Sequence, residues 1–462
     1  MNIDCRLSYG DFIASKTPKM IATGVEPTPM PAHLFDFQAA EVARAIRLGR
    51  AATFWDTGLG KTLTQLEWCR QAAAASNGMA ILFTPLAVAK QIEREGVRFG
   101  YAARVIRDQS EALPGINICN YDRMDKIDPD AFGAVSLDES SVLKNMIGAT
   151  TRALIAMFAG HRFRLCSTAT PAPNDHMELG THADFLGLMS PNEMLSRWFV
   201  NDTSMASQQW RLKGHAVSDF WDWVASWASC AGSPTDLGFD GTRHILPPMD
   251  IVRHQVQAEA KSFDSGMLFA GDVSATDMHA VKRGTAAARA SIVAGLVADE
   301  PAEPWVLWCD SDAEADALRA AIPAAVEVRG SHTPDKKEAT LGDFADGKSL
   351  YLIAKPSACG FGLNWQHSAR MAFIGRSFSY EAWFQAVRRC WRFGQKRPVT
   401  VHLIVAEGED QIGRVIDRKA AGHDQMRTAM AAAMKRNRII AGEVKAPYLP
   451  TVKGRLPKWL TV

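Results

Sequence analysis

The chain has 462 residues, and at about 150 residues per domain this length excludes a single small binding module. Hydrophobic residues make up 47% and charged residues 22% of the sequence, a composition that excludes disorder as the general state of the chain. The 52 Lys and Arg residues nearly balance the 50 Asp and Glu residues, so the formal charge of +2 indicates neither a nucleic-acid nor a membrane partner for the chain as a whole.

Residues 1–33 form an N-terminal extension without an apolar signal segment, and no stretch of the chain approaches about 18 consecutive apolar residues. The eight cysteines include no C-x-x-C pair, which is typical of reduced thiols and predicts neither a disulfide framework nor a zinc site. We therefore expect a cytoplasmic protein that does not bind membranes.

Residues 34–190 alternate short apolar runs with segments of helical period, which predicts an α/β lobe around a mostly parallel sheet. The runs are almost continuously apolar, as expected for strands that are buried on both faces. The predicted strands cover residues 51–55, 79–83, 134–137 and 163–167.

Residues 191–285 lose this alternation and predict a mainly helical insertion or linker. Five of the 13 tryptophans lie here, namely Trp198, Trp210, Trp221, Trp223 and Trp227. Phe220, Trp223 and Trp227 are spaced i, i+3 and i+7, which favours a core-facing stripe of a helix. Stacking of these rings on nucleic-acid bases is the alternative.

The α/β alternation returns over residues 286–420 and predicts a second lobe, with strands at residues 305–309, 325–328, 350–354, 371–375 and 399–405. Residues 421–462 then form a basic tail with eight Lys or Arg and two Asp or Glu. This tail either contacts phosphates or is a solvated run of charge, and the sequence does not decide between the two.

The strongest chemical motif is DTGLGKT at residues 56–62, between a predicted strand and a predicted helix. Its glycines let backbone N–H groups approach a phosphate, Lys61 adds charge, and the hydroxyl of Thr62 can ligate Mg²⁺. The strict P-loop pattern fails, because Trp55 stands in the place of its first glycine. We predict a phosphate-binding loop in preference to a flexible glycine turn.

Two further motifs carry charge. Asp138 and Glu139 follow a buried strand, where one carboxylate can hold the water shell of Mg²⁺ and the other can orient or deprotonate water. Gln385, Arg389 and Arg392 are spaced i, i+4 and i+7, on one face of a helix from which arginines can reach a γ-phosphate. Taken alone, the first pair could be a solvated turn or helix cap, and the second group a solvated basic face.

In combination and in chain order, these motifs resemble those of superfamily 2 helicase-like ATPases of the Swi/Snf type, most of all the compact members encoded by phages and prophages. The resemblance covers residues 34–419. LFDFQ places Gln38 at the family's adenine-reading glutamine, DTGLGKT resembles motif I, and LDESSVLKN resembles motif II. QAVRRCWRFGQ, at residues 385–395, matches motif VI at all six of its defined positions.

Four other segments are similar to motifs with which the family contacts nucleic acid. They are ILFTPLAVAKQIERE, NYDRM, STATPAPND and SACGFGLNW, similar to motif Ia, a short phosphate-contacting element, motif III and motif V. The resemblance implies nucleic-acid contacts from Thr84, Pro85, Asn120, Tyr121, Thr168, Gly360 and Asn364.

The sequence departs from the family pattern in three places. Ser141 stands where motif II usually carries His, so the link from the ATP site to motif III is expected to run through a hydroxyl group or a water molecule. Ala169 replaces a glycine of motif III, and Gly375 replaces a common aspartate at the end of a strand in the second lobe. The first departure concerns the coupling to nucleic acid more than it concerns hydrolysis.

The resemblance implies an α/β fold of two RecA-like parallel-sheet lobes with an ATP cleft between them, and ATP and Mg²⁺ as cofactors. Catalytic roles fall to Lys61, Glu139, Arg389 and Arg392. ATP contacts fall to Gln38, Thr57, Gly58, Gly60, Lys61, Thr62, Gly362 and Gln385. Metal contacts fall to Thr62 and Asp138.

We therefore expect a nucleic-acid-dependent ATPase that translocates on duplex or branched DNA, in preference to RNA, by opening and closing its two lobes. If it is encoded by a phage, it acts in the cytoplasm of the bacterial host. One alternative is a helicase that separates strands or remodels forks and joints during phage replication or recombination. Another is a DNA-binding scaffold that is not a motor and has a degenerate nucleotide site.

Overall fold

A computed structural model describes residues 20–86, 88–202, 209–257, 275–357, 364–406 and 409–440 of the chain. Two sheets in which every paired strand is parallel form two lobes. We call the part around the seven-stranded sheet lobe 1 and the part around the six-stranded sheet lobe 2. The predicted fold class, two RecA-like α/β lobes with an additional helical region, is confirmed.

Lobe 1 has the sheet order β3-β4-β2-β5-β6-β1-β9. Its strands are β1 (Arg50–Trp55), β2 (Met79–Thr84), β3 (Ala103–Val105), β4 (Gly115–Asn120), β5 (Ala134–Asp138), β6 (Phe163–Ser167) and β9 (Ala228–Ala231). The helices of this part are α1 (Asp36–Leu48), α2 (Lys61–Ala74), α3 (Ala89–Arg98), α4 (Ala149–Met157) and α5 (Leu179–Phe185). All residues of β5 and β6 are buried, as expected for strands that are covered on both faces.

Lobe 2 has the sheet order β10-β15-β14-β11-β13-β12. Its strands are β10 (Met249–Val256), β11 (Trp305–Trp308), β12 (Val326–Val328), β13 (Tyr351–Ala354), β14 (Arg370–Phe373) and β15 (Val399–Ala406). Its helices are α8 (Ala275–Asp299), α9 (Asp312–Ala321), α10 (Pro334–Ala345) and α11 (Tyr380–Val387), and the long α12 (Asp410–Ile440) follows. All nine strands predicted from the sequence are present in the two sheets.

The segment 191–285 is more closely tied to the lobes than a helical insertion would be. It contains α6 (Pro191–Trp198), a small antiparallel hairpin of β7 (Phe199–Asp202) and β8 (Gln209–Leu212), and α7 (Val217–Trp227). It also supplies β9 to the sheet of lobe 1 and β10 to the sheet of lobe 2. The segment is therefore a helical region that also supplies one strand to each sheet, and its small or exposed residues conceal both strands in the sequence.

The aromatic stripe of α7 faces the core of lobe 1. Phe220 and Trp227 are fully buried and Trp223 is 4% exposed. Trp198 and Trp223 stack with ring centroids 4.6 Å apart. The core interpretation of this stripe is confirmed, and its rings have no free face on which a base could stack.

Helix α12 joins the two lobes. Near its start, Ile412 and Ile416 pack on Tyr380 of α11 in lobe 2. Further along, Met426, Met430 and Ala433 are buried in the core of lobe 1. Residues 421–440, predicted to belong to a basic tail, are therefore part of a packed helix, because their apolar face matches the helical period. Residues 441–462 lie outside the described residues.

Candidate functional site

The loop after β1 is shaped by two glycines with positive φ. Gly58 has φ 93° and Gly60 has φ 75°, a region that favours glycine. A Cβ on Gly60 would lie 2.1 Å from Nε2 of Gln38, and one on Gly58 would lie 2.8 Å from Cβ of Phe393 in lobe 2. The loop is therefore enclosed by side chains on both sides, and neither glycine position has room for a side chain.

Gln38 fixes the loop to α1. Its Oε1 accepts from the backbone N–H of Phe35 at 3.0 Å, and its Nε2 donates to the carbonyl of Leu59 at 2.9 Å. The side chain is almost fully buried. The structure thus places Gln38 against the loop that the sequence predicts to bind phosphate.

Lys61 begins α2 and points back into the loop. Its Nζ donates to the carbonyl of Trp55 at 3.0 Å and lies 3.4 Å from that of Asp56. Burial lowers the pKa of this ammonium group, and the nearby carboxylates of Glu139 and Asp56 oppose the shift. The ammonium is held by neutral carbonyls, which an anionic ligand can replace.

The carboxylate of Asp138, at the end of β5, is held on both oxygens. Nε2 of Gln65 donates to Oδ1 and Oγ1 of Thr84 donates to Oδ2, each at 2.9 Å. Gln65 is oriented in turn by Ser136, whose hydroxyl donates to its Oε1 at 2.9 Å. Burial raises the pKa of Asp138, and these hydrogen bonds act against the rise.

Glu139 differs from its neighbour in both backbone and environment. In the described part of the chain, it is the one non-glycine residue with positive φ, at 51°. Its Oε2 accepts from Oγ1 of Thr168 at 3.1 Å. Burial raises its pKa to about 7, with the charge of Lys61 acting in the opposite direction. A strained residue with a titratable group near neutrality is typical of a catalytic carboxylate.

Lobe 2 contributes Gln385, Arg389 and Arg392 from α11 and the turn that follows it. The guanidinium of Arg389 lies 5.1 Å from the ring centroid of Trp365. Burial lowers the pKa of Arg392 to about 10, and the charge of Arg389 adds to the shift. Two buried donor atoms, Nε of Arg392 and Nε2 of Gln385, have no hydrogen-bond partner among the described residues. Buried donors of this kind are rare unless a ligand or water completes them.

These groups from both lobes surround one cavity of about 210 Å³. Predicted site residues that line it are Thr57, Gly58, Gly60, Lys61, Thr62, Asp138, Glu139, Asn364, Gln385, Arg389 and Arg392. Gln38 lies behind the loop, against Leu59. Gly360 and Gly362 lie outside the described residues.

Several residues of the cavity were not predicted from the sequence. Gln91 and Glu95 of α3 line it, as do Gln366, Arg388 and Phe393 from lobe 2. Burial raises the pKa of Glu95, and the positive charge of Arg392 opposes the shift. The position of Glu95, at the end of the segment similar to motif Ia, was the one available signal for its presence here.

Ion pairs between the lobes were also missed. Arg388 pairs with Asp56, and Lys144 pairs with Glu381. Both arginine and lysine come from segments singled out for other residues, and partners this distant in sequence give no local pattern.

The residues predicted to contact nucleic acid fall into two groups. Thr84 and Thr168 are fully buried and their hydroxyls bind Asp138 and Glu139. Both hydroxyls are therefore committed to carboxylates, and the contact of these two residues with nucleic acid remains a prediction. The other described members, which also remain predictions, are Pro85, Asn120, Tyr121 and Asn364.

The predicted hydroxyl link between motifs II and III is present in a different form. Thr168, after β6, bonds directly to Glu139. Ser141 is buried, and its neighbour Ser140 pairs with His182 at 3.2 Å between Oγ and Nε2. The Gly375 position is filled from α9, since a Cβ there would lie 2.2 Å from a carboxylate oxygen of Glu314.

No family model matches the chain. The chain is similar to protein p41 of Acyrthosiphon pisum secondary endosymbiont phage 1, with 24% identity over 87% of this chain and 96% of the phage protein. It is also similar to the solved SWI2/SNF2 ATPase core of Sulfolobus solfataricus in complex with dsDNA, with 16% identity, a TM-score of 0.41, and coverage of 89% of this chain and 96% of that one. Among the described residues, no helix has both the length and the apolar character needed to cross a membrane.

Proposed function

We propose that this protein is a DNA-dependent ATPase that moves along duplex DNA by opening and closing its two lobes. The observation that carries the proposal is the shared cavity. The wall from lobe 1 includes the ammonium of Lys61 and the carboxylates of Asp138 and Glu139, and the wall from lobe 2 includes two arginines from the turn after α11, Arg389 and Arg392. Hydrolysis of a nucleoside triphosphate needs these groups together, because its transition state spreads negative charge over the transferred phosphoryl group.

The cavity fits a phosphate chain chemically. Lys61, the N-terminus of α2 and the arginines place positive charge around it. Nε2 of Gln385 and Nε of Arg392 are buried donors without a hydrogen-bond partner in the described part of the chain, which supports binding of an acceptor such as a phosphate oxygen. Gln38 is the residue that would contact the adenine base, from its position beside Leu59.

The residues present also fit Mg²⁺ held jointly by protein and substrate. The described residues contain no group of three or more His, Cys, Asp or Glu side chains that could enclose a metal. Thr62 and Asp138 would therefore hold the ion together with phosphate oxygens and water, as is usual for Mg²⁺ in ATPases. Each oxygen of Asp138 accepts one hydrogen bond and keeps a further lone pair. The bound ion would neutralise charge on the phosphates.

Glu139 is the proposed general base. Its pKa of about 7 suits the transfer of a proton from water at neutral pH. Thr168 orients the carboxylate from the end of β6. Arg389 and Arg392 would stabilise the developing charge from the opposite wall.

The size of the cavity supports an opening and closing cycle. At about 210 Å³, it is smaller than the roughly 300–1,000 Å³ typical of cofactor pockets. In the proposed cycle, the lobes separate when a whole nucleotide enters. Closure would then return the arginines to the phosphates.

DNA is proposed to bind at the ends of β2 and β4, beside the carboxylates. Pro85 follows β2, Asn120 is the last residue of β4, and Tyr121 donates its hydroxyl to the carbonyl of Asp138 at 2.8 Å. A phosphate backbone bound here would therefore act on the residue next to the general base.

ATP hydrolysis over a panel of single-stranded DNA, duplex, fork and RNA tests the proposal. We expect low turnover without nucleic acid, strong stimulation by duplex DNA and steep weakening of DNA binding with salt. Lys61→Ala should abolish hydrolysis while circular dichroism shows an intact fold. Turnover by Lys61→Ala at the wild-type rate would disprove the assignment, and displacement of a third strand from a triplex tests translocation on duplex separately from unwinding.

A further inference from the structure

A buried ion pair joins the nucleotide loop of lobe 1 to the arginine turn of lobe 2. Asp56 is the first residue after β1, and Arg388 immediately precedes Arg389. The side chains of Asp56 and Arg388 are 7% and 9% exposed. A pair this deeply buried between two lobes is costly unless its geometry is well satisfied.

Asp56 is held by its own loop as well as by Arg388. Its Oδ1 accepts a hydrogen bond from the backbone N–H of Thr57 at 2.6 Å, and its Oδ2 accepts one from Nη2 of Arg388. Arg427 of α12 lies 3.9 Å from the same Oδ2. Thus one carboxylate connects the phosphate loop, the turn after α11 and the helix that joins the lobes.

Two aromatic rings of lobe 2 orient the guanidinium of Arg388 toward Asp56. Its guanidinium lies 4.4 Å from the ring centroid of Trp391 and 5.3 Å from that of Phe384. Such rings attract a guanidinium and limit the directions in which it can point. The arginine is therefore directed at lobe 1 by lobe 2 itself.

The neighbours of the pair are the groups proposed to bind phosphate. The backbone carbonyl of Asp56 lies 3.4 Å from Nζ of Lys61, and Arg388 shares its peptide bond with Arg389. Forming or breaking the pair must therefore move Lys61 and Arg389 relative to each other.

An exposed cross-lobe pair offers a contrast within the same molecule. Arg94 of α3 and Glu338 of α10 approach to 3.0 Å, with side chains 73% and 59% exposed. Exposed pairs of this kind contribute little, because water and salt screen them. The contact between lobes therefore depends on the buried pair far more than on this one.

We infer that Asp56 and Arg388 form a latch that closes the cleft and positions Arg389 and Arg392 opposite the phosphate loop. They are positioning residues and do not contact the reacting atoms. The latch must open for a nucleotide to enter and re-form before hydrolysis. Its effect on lobe closure is independent of the proposed ATPase function, while its effect on turnover rests on that function.

Lobe closure is measured by energy transfer between dyes on the full chain without nucleotide. Ala74 and Ala320 are exposed, one in each lobe, and accept dyes as Ala74→Cys and Ala320→Cys. The background carries Cys5→Ser and Cys359→Ser, because the other six cysteines are buried. Asp56→Asn and Arg388→Gln should each lower the energy transfer, and Arg94→Gln should leave it unchanged.

A double variant separates the latch from a merely structural role. Each single variant leaves a buried charge without its partner and should lower the melting temperature, whereas Asp56→Asn combined with Arg388→Gln removes both charges. We expect the double variant to recover thermal stability but to keep the open lobes. Recovery of closure together with stability would overturn the latch.

Turnover gives the second measurement. At saturating ATP and DNA, we expect kcat to fall about tenfold or more in the single and double variants. This loss corresponds to only part of the free energy by which removing one partner of a buried ion pair destabilises a protein. The KM for ATP should not rise in Arg388→Gln, because this variant leaves Gln38 and the phosphate loop of lobe 1 unchanged. Unchanged energy transfer in all three variants would overturn the inference, whatever happens to kcat. A wild-type protein without ATPase activity but with variant-dependent closure would instead disprove the proposed function and leave the latch standing.

Discussion

The two lobes build their halves of the cavity in different ways. In lobe 1, the polar groups come from the ends of separate strands and are fixed by hydrogen bonds, as Asp138 is by Gln65 and Thr84. In lobe 2, Gln385, Arg389 and Arg392 come from one short stretch of chain, and Nε2 of Gln385 and Nε of Arg392 have no hydrogen-bond partner among the described residues. The carboxylates of lobe 1 thus have partners within their own lobe, whereas lobe 2 holds two buried donors that a ligand or water would complete. This difference supports the proposal that the cavity acts as a reaction site only when the two lobes meet around a ligand.

The largest expected effect concerns the arginines of lobe 2. Arg392→Ala should lower kcat by about 10³-fold or more, because arginines of this kind act on the transition-state charge. Binding of a fluorescent ATP analogue should change little, since Lys61 and the loop remain. Arg397→Ala is the matched control, because Arg397 lies nearby in lobe 2 but pairs with Glu303 on the surface. An equal loss in both variants would contradict the contrast between the lobes.

The next largest effect concerns the carboxylates of lobe 1. Glu139→Gln keeps the shape of the side chain and removes the base, so kcat should fall by about 10²–10⁴-fold. ATP binding and DNA binding should both persist, and rapid-quench measurements would show that the hydrolytic step is lost. Glu178→Gln is a suitable control, because Glu178 is another carboxylate of lobe 1 but bonds to Asn174. Wild-type hydrolysis by Glu139→Gln would remove this residue from its proposed role.

A smaller effect concerns pH. The pKa of Glu139 is about 7, so kcat should rise as pH increases through this value and the carboxylate loses its proton. The hydroxyl of Thr168 favours the charged carboxylate, and Thr168→Val should therefore move the midpoint to higher pH. A pH–rate profile of both proteins measures the shift, and a midpoint that stays in place would show that Thr168 does not tune the base.

The smallest expected effect is on stability. Because the pKa of Glu139 is raised in the folded state, the native protein binds a proton that the unfolded chain has released between about pH 4.5 and 7. This group therefore opposes folding progressively as pH rises through that window. Glu139→Gln should raise the melting temperature at pH 7.5 more than at pH 5. Equal shifts at the two pH values would mean that burial of this charge does not limit stability.

The sequence predicted the parts of the fold that follow local apolar patterns. All of β1, β2, β5 and β6 read as continuous apolar runs, and their burial explains why. In contrast, β4 was missed because Asn117 interrupts its pattern, although that side chain is buried and bonds within the fold to Leu113 and Ala80. The edge strand β10 was missed because most of its residues are exposed.

The candidate site was predictable where one segment carries several of its residues. The loop at 56–62 and the arginine turn both appear in the cavity as expected. The supporting contacts were not predictable, since Gln65 and Asp138, or Arg388 and Asp56, are brought together only by tertiary structure. Resemblance to a family also assigned Thr84 and Thr168 to nucleic acid, and their burial could be seen only in the folded chain.

Helix α12 limits how the two lobes can move relative to each other. Its 31 residues span about 46 Å at 1.5 Å per residue, with one end seated in each half. Straight separation of the lobes would expose Met426 and Met430, which are buried in the core of lobe 1. Rotation of one lobe about α12 therefore costs less free energy than separation. We expect α12 to bend most easily at Gly422, because glycine has a low helix propensity and a Cβ at this position would meet no other atom within 4 Å. In the proposed translocation on DNA, the angle of this rotation would set the length of each step.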